Sequence, residues 1–104
     1  DVHYNKGIAI YAVAIEAARL AIEQNGWPLT AESMKAGYES VKNYDAGGIM
    51  SPVTVTPQDH GGGGRTRVEQ WTGETWEPLT EWSSDYGEVV WDVIKESSST
   101  FSTD

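Results

Sequence analysis

The stretch Ile8–Ile22, IAIYAVAIEAARLAI, decides how the rest of the chain must be arranged. Ile8, Tyr11, Ile15, Ala18 and Ile22 recur at spacings of three and four, which puts them on one face of a helix. The opposite face, made of Ile10, Val13, Ala14, Ala17 and Ala21, is scarcely more polar, and only Glu16 and Arg19 carry charge. A helix that is apolar on nearly all sides belongs inside a larger assembly. The run is too short, and charged too near its middle, to span a bilayer. Burying each of Ile8, Ile10, Val13, Ile15, Leu20 and Ile22 is worth about 1.5–3 kcal/mol, so leaving half of them in water forfeits about 5–9 kcal/mol. Typical net stabilities are about 5–15 kcal/mol, and a free monomer is therefore expected to be marginal.

The whole chain has 104 residues, the length of one domain. With 7 Lys and Arg against 16 Asp and Glu, the net charge is -9. That balance argues against nucleic acid or anionic lipid as partners, because their phosphates are repelled. The acidity is read as a solvated surface and not as a binding signal. No cysteine is present, which removes disulfides, a thiolate nucleophile and thiolate metal ligands. The sequence starts at Asp1 without an initiator Met and with no targeting signal in view. Together with the apolar helix, this start suggests a processed chain or a piece of a longer one, any signal peptide lying upstream of Asp1.

Outward from the helix, residues 1–6, DVHYNK, read as a loop before it, with Gly7 at the junction. Loop side chains at the mouth of a helix often reach a ligand, although Tyr4 can equally pack under the first turn. Asn25 and Gly26 stop the helix and Pro28 prevents its continuation. Thr30 supplies an N-cap oxygen and Glu32 a charge that suits the helix dipole. Ala31, Met34, Tyr38 and Val41 then mark a second amphipathic helix, over about Ala31–Lys42, with Gly37 as its weak point.

Residues 43–50 read as a turn and 52–56, PVTVT, as a short strand. The run Gly61–Gly64 lacks the Lys-Ser/Thr of a phosphate loop and leads into a strand, so a nucleotide site is not expected. In Arg65–Trp71, RTRVEQW, alternation places Arg65, Arg67, Glu69 and Trp71 on one face. The turn at Gly73 leads to a return strand with Trp76, Pro78 and Leu79. Trp71, Trp76 and Trp82 could form an exposed aromatic platform for sugars; the more usual role of tryptophans at hairpin ends is to cover the edge of a core. A last helix is expected over about Tyr86–Glu96, capped by SSDYG, with Val89, Val90, Val93 and Ile94 facing inward. The polar tail 97–104 is expected to be frayed, leaving 1–96 as the structured part. The order is α, α, β, β-hairpin, α.

Catalytic chemistry finds little support. His3 and His60 are the only imidazoles, no GxSxG elbow occurs, and two lone histidines do not make a zinc site. His60 is read first as a structural hydrogen-bonder. Glu16 and Arg19, three residues apart, are read as a local ion pair.

The ordered set of motifs adds a resemblance. Tyr4-x-x-Gly7 leads into Glu16-Ala17-Ala18-Arg19, then Leu29-Thr30-Ala31-Glu32, Gly47-Gly48, Pro52-Val53-Thr54-Val55, Asp59-His60-x-Gly62, Arg67-Val68-Glu69-Gln70-Trp71 and Trp76-Glu77-Pro78-Leu79-Thr80-Glu81-Trp82. This succession, over about Val2 to Ile94, resembles the C-terminal portion of the periplasmic substrate-binding proteins of ABC uptake transporters, in the branched-chain amino-acid-binding (type I) group. The resemblance implies an α/β fold, α+β in this piece, belonging to a two-lobe protein with its ligand in the cleft between lobes. It implies a non-enzymatic protein without a cofactor, which captures an amino acid or similar small polar solute and delivers it to an ABC permease. The implied partners are that solute, the permease and the missing N-terminal part of the chain, and the implied place is the periplasm or the cell exterior. By position, His3, Tyr4 and Asn5 would be the ligand contacts. The alternative reading is a fragment that self-associates by exchanging elements with a second copy. A hydrolase is a distant third.

Overall fold

In the computed structural model, which describes residues 2–100, the first helix starts well before the expected point. Helix α1 spans Val2–Asn25 and takes in residues 2–6 of the expected N-terminal loop, Asp1 lying outside the described residues. Gly7 is the only strong helix-breaker there, and a glycine inside a helix costs only about 1 kcal/mol relative to alanine, too little to set a boundary. The C-terminal stop is where the sequence put it. Gly26 takes φ +74° and donates its amide to Ile22 O at 2.8 Å.

Helix α2 spans Ala31–Tyr38 and opens on a reciprocal cap. Thr30 Oγ1 accepts from the Ser33 amide at 3.1 Å, and the Thr30 amide donates to Ser33 Oγ at 2.9 Å. Both donors would otherwise be among the unpaired amides of a helix start. The helix is shorter than expected because the chain tightens after Tyr38, where Ser40 donates to Gly37 O and Val41 to Tyr38 O. Val41 thus leaves the helix but remains in the core, and its carbonyl accepts from the Val55 amide at 3.0 Å.

The chain divides into two units, Asp1–Gly63 and Gly64–Asp104. In the first, α1 packs on α2 through the smallest residues available. Ala17 and Ala21 are fully buried, and Gly37 is buried opposite them. The core is Ala17, Val41 and Val55, with Leu20, Met34, Tyr38, Tyr44 and Val53 packed around it. The bulkier residues of α1 lie elsewhere. Tyr11 is 72% and Ile15 68% exposed, and Ile8, Ile10 and Ile22 are exposed as well.

The expected strand at 52–56 is not formed as such. Val53 makes an isolated antiparallel bridge with Tyr44, and Thr54 donates to Gly62 O at 3.0 Å. The segment runs extended between two stretches of loop, so it lacks a neighbouring strand long enough to make a ladder. Gly62, with φ +67°, is buried against it, and a Cβ there would lie 2.9 Å from Val53 Cγ1.

In the second unit, β1 (Glu69–Trp71) and β2 (Trp76–Pro78) form an antiparallel hairpin in which Glu69 faces Pro78, Gln70 faces Glu77 and Trp71 faces Trp76. Helix α3 spans Gly87–Ser99. Its apolar stripe was expected to face inward, yet none of its residues is buried, and Val89, Val90, Val93 and Ile94 stand in solvent. Among the described residues, α3 does not pack on the hairpin of the same unit. Tyr86 at its start makes no side-chain capping bond. Residues 97–99 of the expected frayed tail are helical, and 101–104 lie outside the described residues. The result is a mixture of helix and strand: three helices and one two-stranded sheet among the described residues. The crossing strands and second lobe implied by the resemblance are not among them.

Candidate functional site

His3, Tyr4 and Asn5 occupy the first turn of α1 and not a loop at the mouth of a cleft. His3 and Tyr4 join Gly7, Ile8, Tyr11, Ala12 and Ile15 along a shallow groove of about 510 Å³ on the outer side of the helix. Asn5 is exposed and does not line that groove. The helix thus brings two of the three together along a groove whose other lining residues are Gly7, Ile8, Tyr11, Ala12 and Ile15.

A deeper groove lies between α1, α2 and the loop that follows. It holds about 530 Å³ and is walled by Ala9, Ile10 and Val13 from α1, Tyr38 from α2, and Met50, Val53 and Val55. Its polar end is Lys35, Glu39 and His60. Glu39 Oε1 accepts from Lys35 Nζ at 2.5 Å and lies 3.0 Å from His60 Nε2. Lys35 first, and His60 after it, hold the Glu39 carboxyl below the ordinary carboxylate range. The spacing of Lys35 and Glu39 by four residues on one helix was legible in the sequence. His60 joins them from 21 residues further on, through the turn at Thr56–Asp59, and no local signal announces that contact.

His60 is thus a hydrogen-bonder, as expected, and Asp59 does not serve it. Asp59 Oδ1 accepts from the amides of Gly61 at 2.8 Å and Gly62 at 3.4 Å. That geometry is a turn, not a catalytic pair. On the exposed side of α1, Arg19 forms the expected ion pair with Glu16, in bidentate form at 2.8 and 2.7 Å, and adds Glu23 at 2.5 Å. The Arg19 hydrogen bond depresses the Glu16 carboxyl, and Glu16 in turn raises the guanidinium further above its already high range. Among the described residues, no three His, Cys, Asp or Glu are grouped to hold a metal ion.

The second unit carries an aromatic cluster. Trp71 and Trp76 meet across the hairpin with ring centroids 5.5 Å apart and planes tilted by 54°. They are 50% and 60% exposed, so they do not cover a core edge as expected. Arg67 lies over the Trp82 ring, 4.4 Å from its centroid, and its Nε donates to Glu69 Oε1 at 2.6 Å. The alternation expected for Arg67 and Glu69 on one face is seen in that bond.

Among proteins of known structure, the chain is similar to a crystal structure described as an ABC transporter permease from the Pseudomonas fluorescens group. The two share 34% identity with a TM-score of 0.70, over 96% of this chain. This chain spans 26% of the length of that one. No protein-family profile matches the sequence. No curated protein matches it either. The similarity corrects the assignment drawn from the motifs. The solved relative is described as an ABC transporter permease and not as a periplasmic substrate-binding protein. The expectation of a solute-binding component that captures amino acids is therefore withdrawn. Among the described residues no helix is long and apolar enough to cross a membrane.

Proposed function

We propose that the chain is a segment of an ABC transporter component, and that within it the segment is a packing module which docks on other protein through the outer face of α1. The similarity over 96% of the chain to a structure described as an ABC transporter permease carries this reading. The surface of the first unit supports the packing role. Ile8, Tyr11, Ile15 and Ile22 stand in water along one face of the helix, a patch of the kind that marks an interface. Their burial elsewhere would contribute several times about 1.5–3 kcal/mol. The charged network of Arg19 with Glu16 and Glu23 on the same helix favours a protein partner over lipid hydrocarbon.

The segment is read as non-enzymatic. This reading agrees with the contacts of the two candidate groups: His60 is engaged by Glu39, and Asp59 accepts from the backbone amides of Gly61 and Gly62. The test is to purify the longer protein that carries this segment from its native membranes in mild detergent and assay it for ATP hydrolysis. Recovery in fixed proportion with an ATP-hydrolysing subunit is expected. Recovery free of any ATPase, with transport intact after deletion of the segment, overturns the reading.

A further inference from the structure

The hairpin unit holds a feature that the transporter reading does not use. Beside β1 and β2 lies an open groove of about 430 Å³ lined by Arg65, Thr66, Arg67, Glu69, Trp76 and Trp82. Its polar groups are fixed in place. Arg67 is clamped by Glu69, with Nη2 at 2.5 Å and Nε at 2.6 Å from Oε1, and it is stacked on Trp82. Trp76 is held by its tilted contact with Trp71 and still presents most of its surface to solvent. Exposed indoles held in fixed orientations provide large contact area with little rotamer entropy left to lose.

The charges select among ligands. A guanidinium only donates and a carboxylate only accepts, and here one of each sits in the same groove. Arg67 and Glu69 neutralise each other, so an ion of either sign meets a like charge in one member of the pair and gains little from the other, which is already compensated. A neutral ring with adjacent hydroxyls finds neither penalty, because each hydroxyl both donates and accepts. The flat C–H face of a pyranose suits an indole surface, in the usual arrangement of apolar contact area with a few placed polar groups. We propose that this face of the hairpin, with Trp76 as the stacking surface, the Arg67-covered Trp82 as the wall beside it, and Arg67 and Glu69 as hydroxyl partners, binds a neutral oligosaccharide. The site lies wholly within the second unit, and the proposal does not rest on the transporter reading.

The test uses the full 104-residue chain, whose 5 tryptophans give separate indole N–H signals in nitrogen-15 spectra. Maltotriose, cellotriose and chitotriose are titrated in turn, with benzoate and putrescine as charged controls. At least one saccharide is expected to shift the Trp76 and Trp82 signals saturably, with a dissociation constant on the order of millimolar, and to leave Trp27 unmoved. Trp76→Ala and Glu69→Gln are each expected to weaken binding about tenfold or more, a loss of at least about 1.4 kcal/mol. Trp76→Phe should retain most of it, and an unchanged Trp27 signal reports that the first unit of each variant is intact. No saturable shift at about 50 mM saccharide overturns the proposal, since affinities weaker than that are not specific binding. A tighter response to benzoate or putrescine than to any saccharide also overturns it, as does binding unchanged by Trp76→Ala.

Discussion

Gly37 of α2 sits against the backbone of Ala17 so closely that a Cβ at position 37 would lie 2.9 Å from Ala21 Cβ and would also press on the Ala17 carbonyl oxygen. The two helices meet at the narrowest point their side chains permit. Intrinsic propensity favours alanine over glycine inside a helix by about 1 kcal/mol, and overpacking of a tight contact costs about 1–3 kcal/mol. At this position the contact outweighs the propensity, because the obstacle is backbone and cannot swing aside. Gly37→Ala is expected to lower the stability of the first unit by about 1–2 kcal/mol, read as a lower urea midpoint. A raised midpoint would show that α1 and α2 separate without cost.

The cap at Thr30 is reciprocal, so its two halves should not add. Thr30→Ala is expected to cost about 1 kcal/mol. Ser33→Ala should cost less, and the double variant less than the sum of the two, because either single change already breaks the box. A thermal-melt double-mutant cycle measures the coupling directly.

Glu39 gives the first unit an acid limb. Its carboxyl is held below the ordinary 4.5, by the hydrogen bond from Lys35 first and from His60 next. A carboxylate depressed by folding contributes stability in full above its unfolded value, and that contribution is lost as pH falls through the lower folded value. Glu16, depressed by Arg19, acts in the same direction. Urea midpoints should therefore fall as the pH is taken below about 4.5, and Glu39→Gln should flatten that fall without abolishing it. Equal slopes for the two proteins would remove Glu39 from the account.

The outer face of α1 is expected to behave differently alone and in the longer protein. Ile15→Lys on the 104-residue chain should change stability by no more than about 0.5 kcal/mol, because the side chain is already 68% exposed. Light scattering should show less association than for the unmodified chain. In the longer protein the same change places an unpaired charge in an interface, and expression or melting temperature should drop markedly. Tolerance in both settings would mean that this face of α1 is never covered.

Much of the local architecture was readable from local signals. Gly26 ends α1, Thr30 starts α2, and the turn at Gly73 joins two short strands, because each of these choices depends on a few adjacent residues. Choices that depend on distant partners were not readable. Both sides of α1 are apolar, so periodicity could not say which one packs; the close approach of Gly37 selects Ala17 and Ala21. Residues 52–56 have the composition of a strand, but composition records suitability for a half-buried surface and does not supply a neighbour. His3, Tyr4 and Asn5 read as loop residues when Gly7 marks the boundary, whereas the helix runs through it. The clamp of Arg67 by Glu69 was implicit in the alternation, but its stacking on Trp82 required the chain to return through the hairpin.

The solvated stripe of α3 has a consequence in time as well as in space. A helix of 13 residues with no buried side chain is near the length at which isolated helices only just persist in water. Its backbone amides should exchange with deuterated solvent orders of magnitude faster than those of α2, whose Ser33 and Gly37 are buried. The contrast turns α3 into a clock for occupancy. Whatever molecule seats on Val89, Val90, Val93 and Ile94 will announce itself by slowing exchange there, while amides around Ala17 keep their original pace.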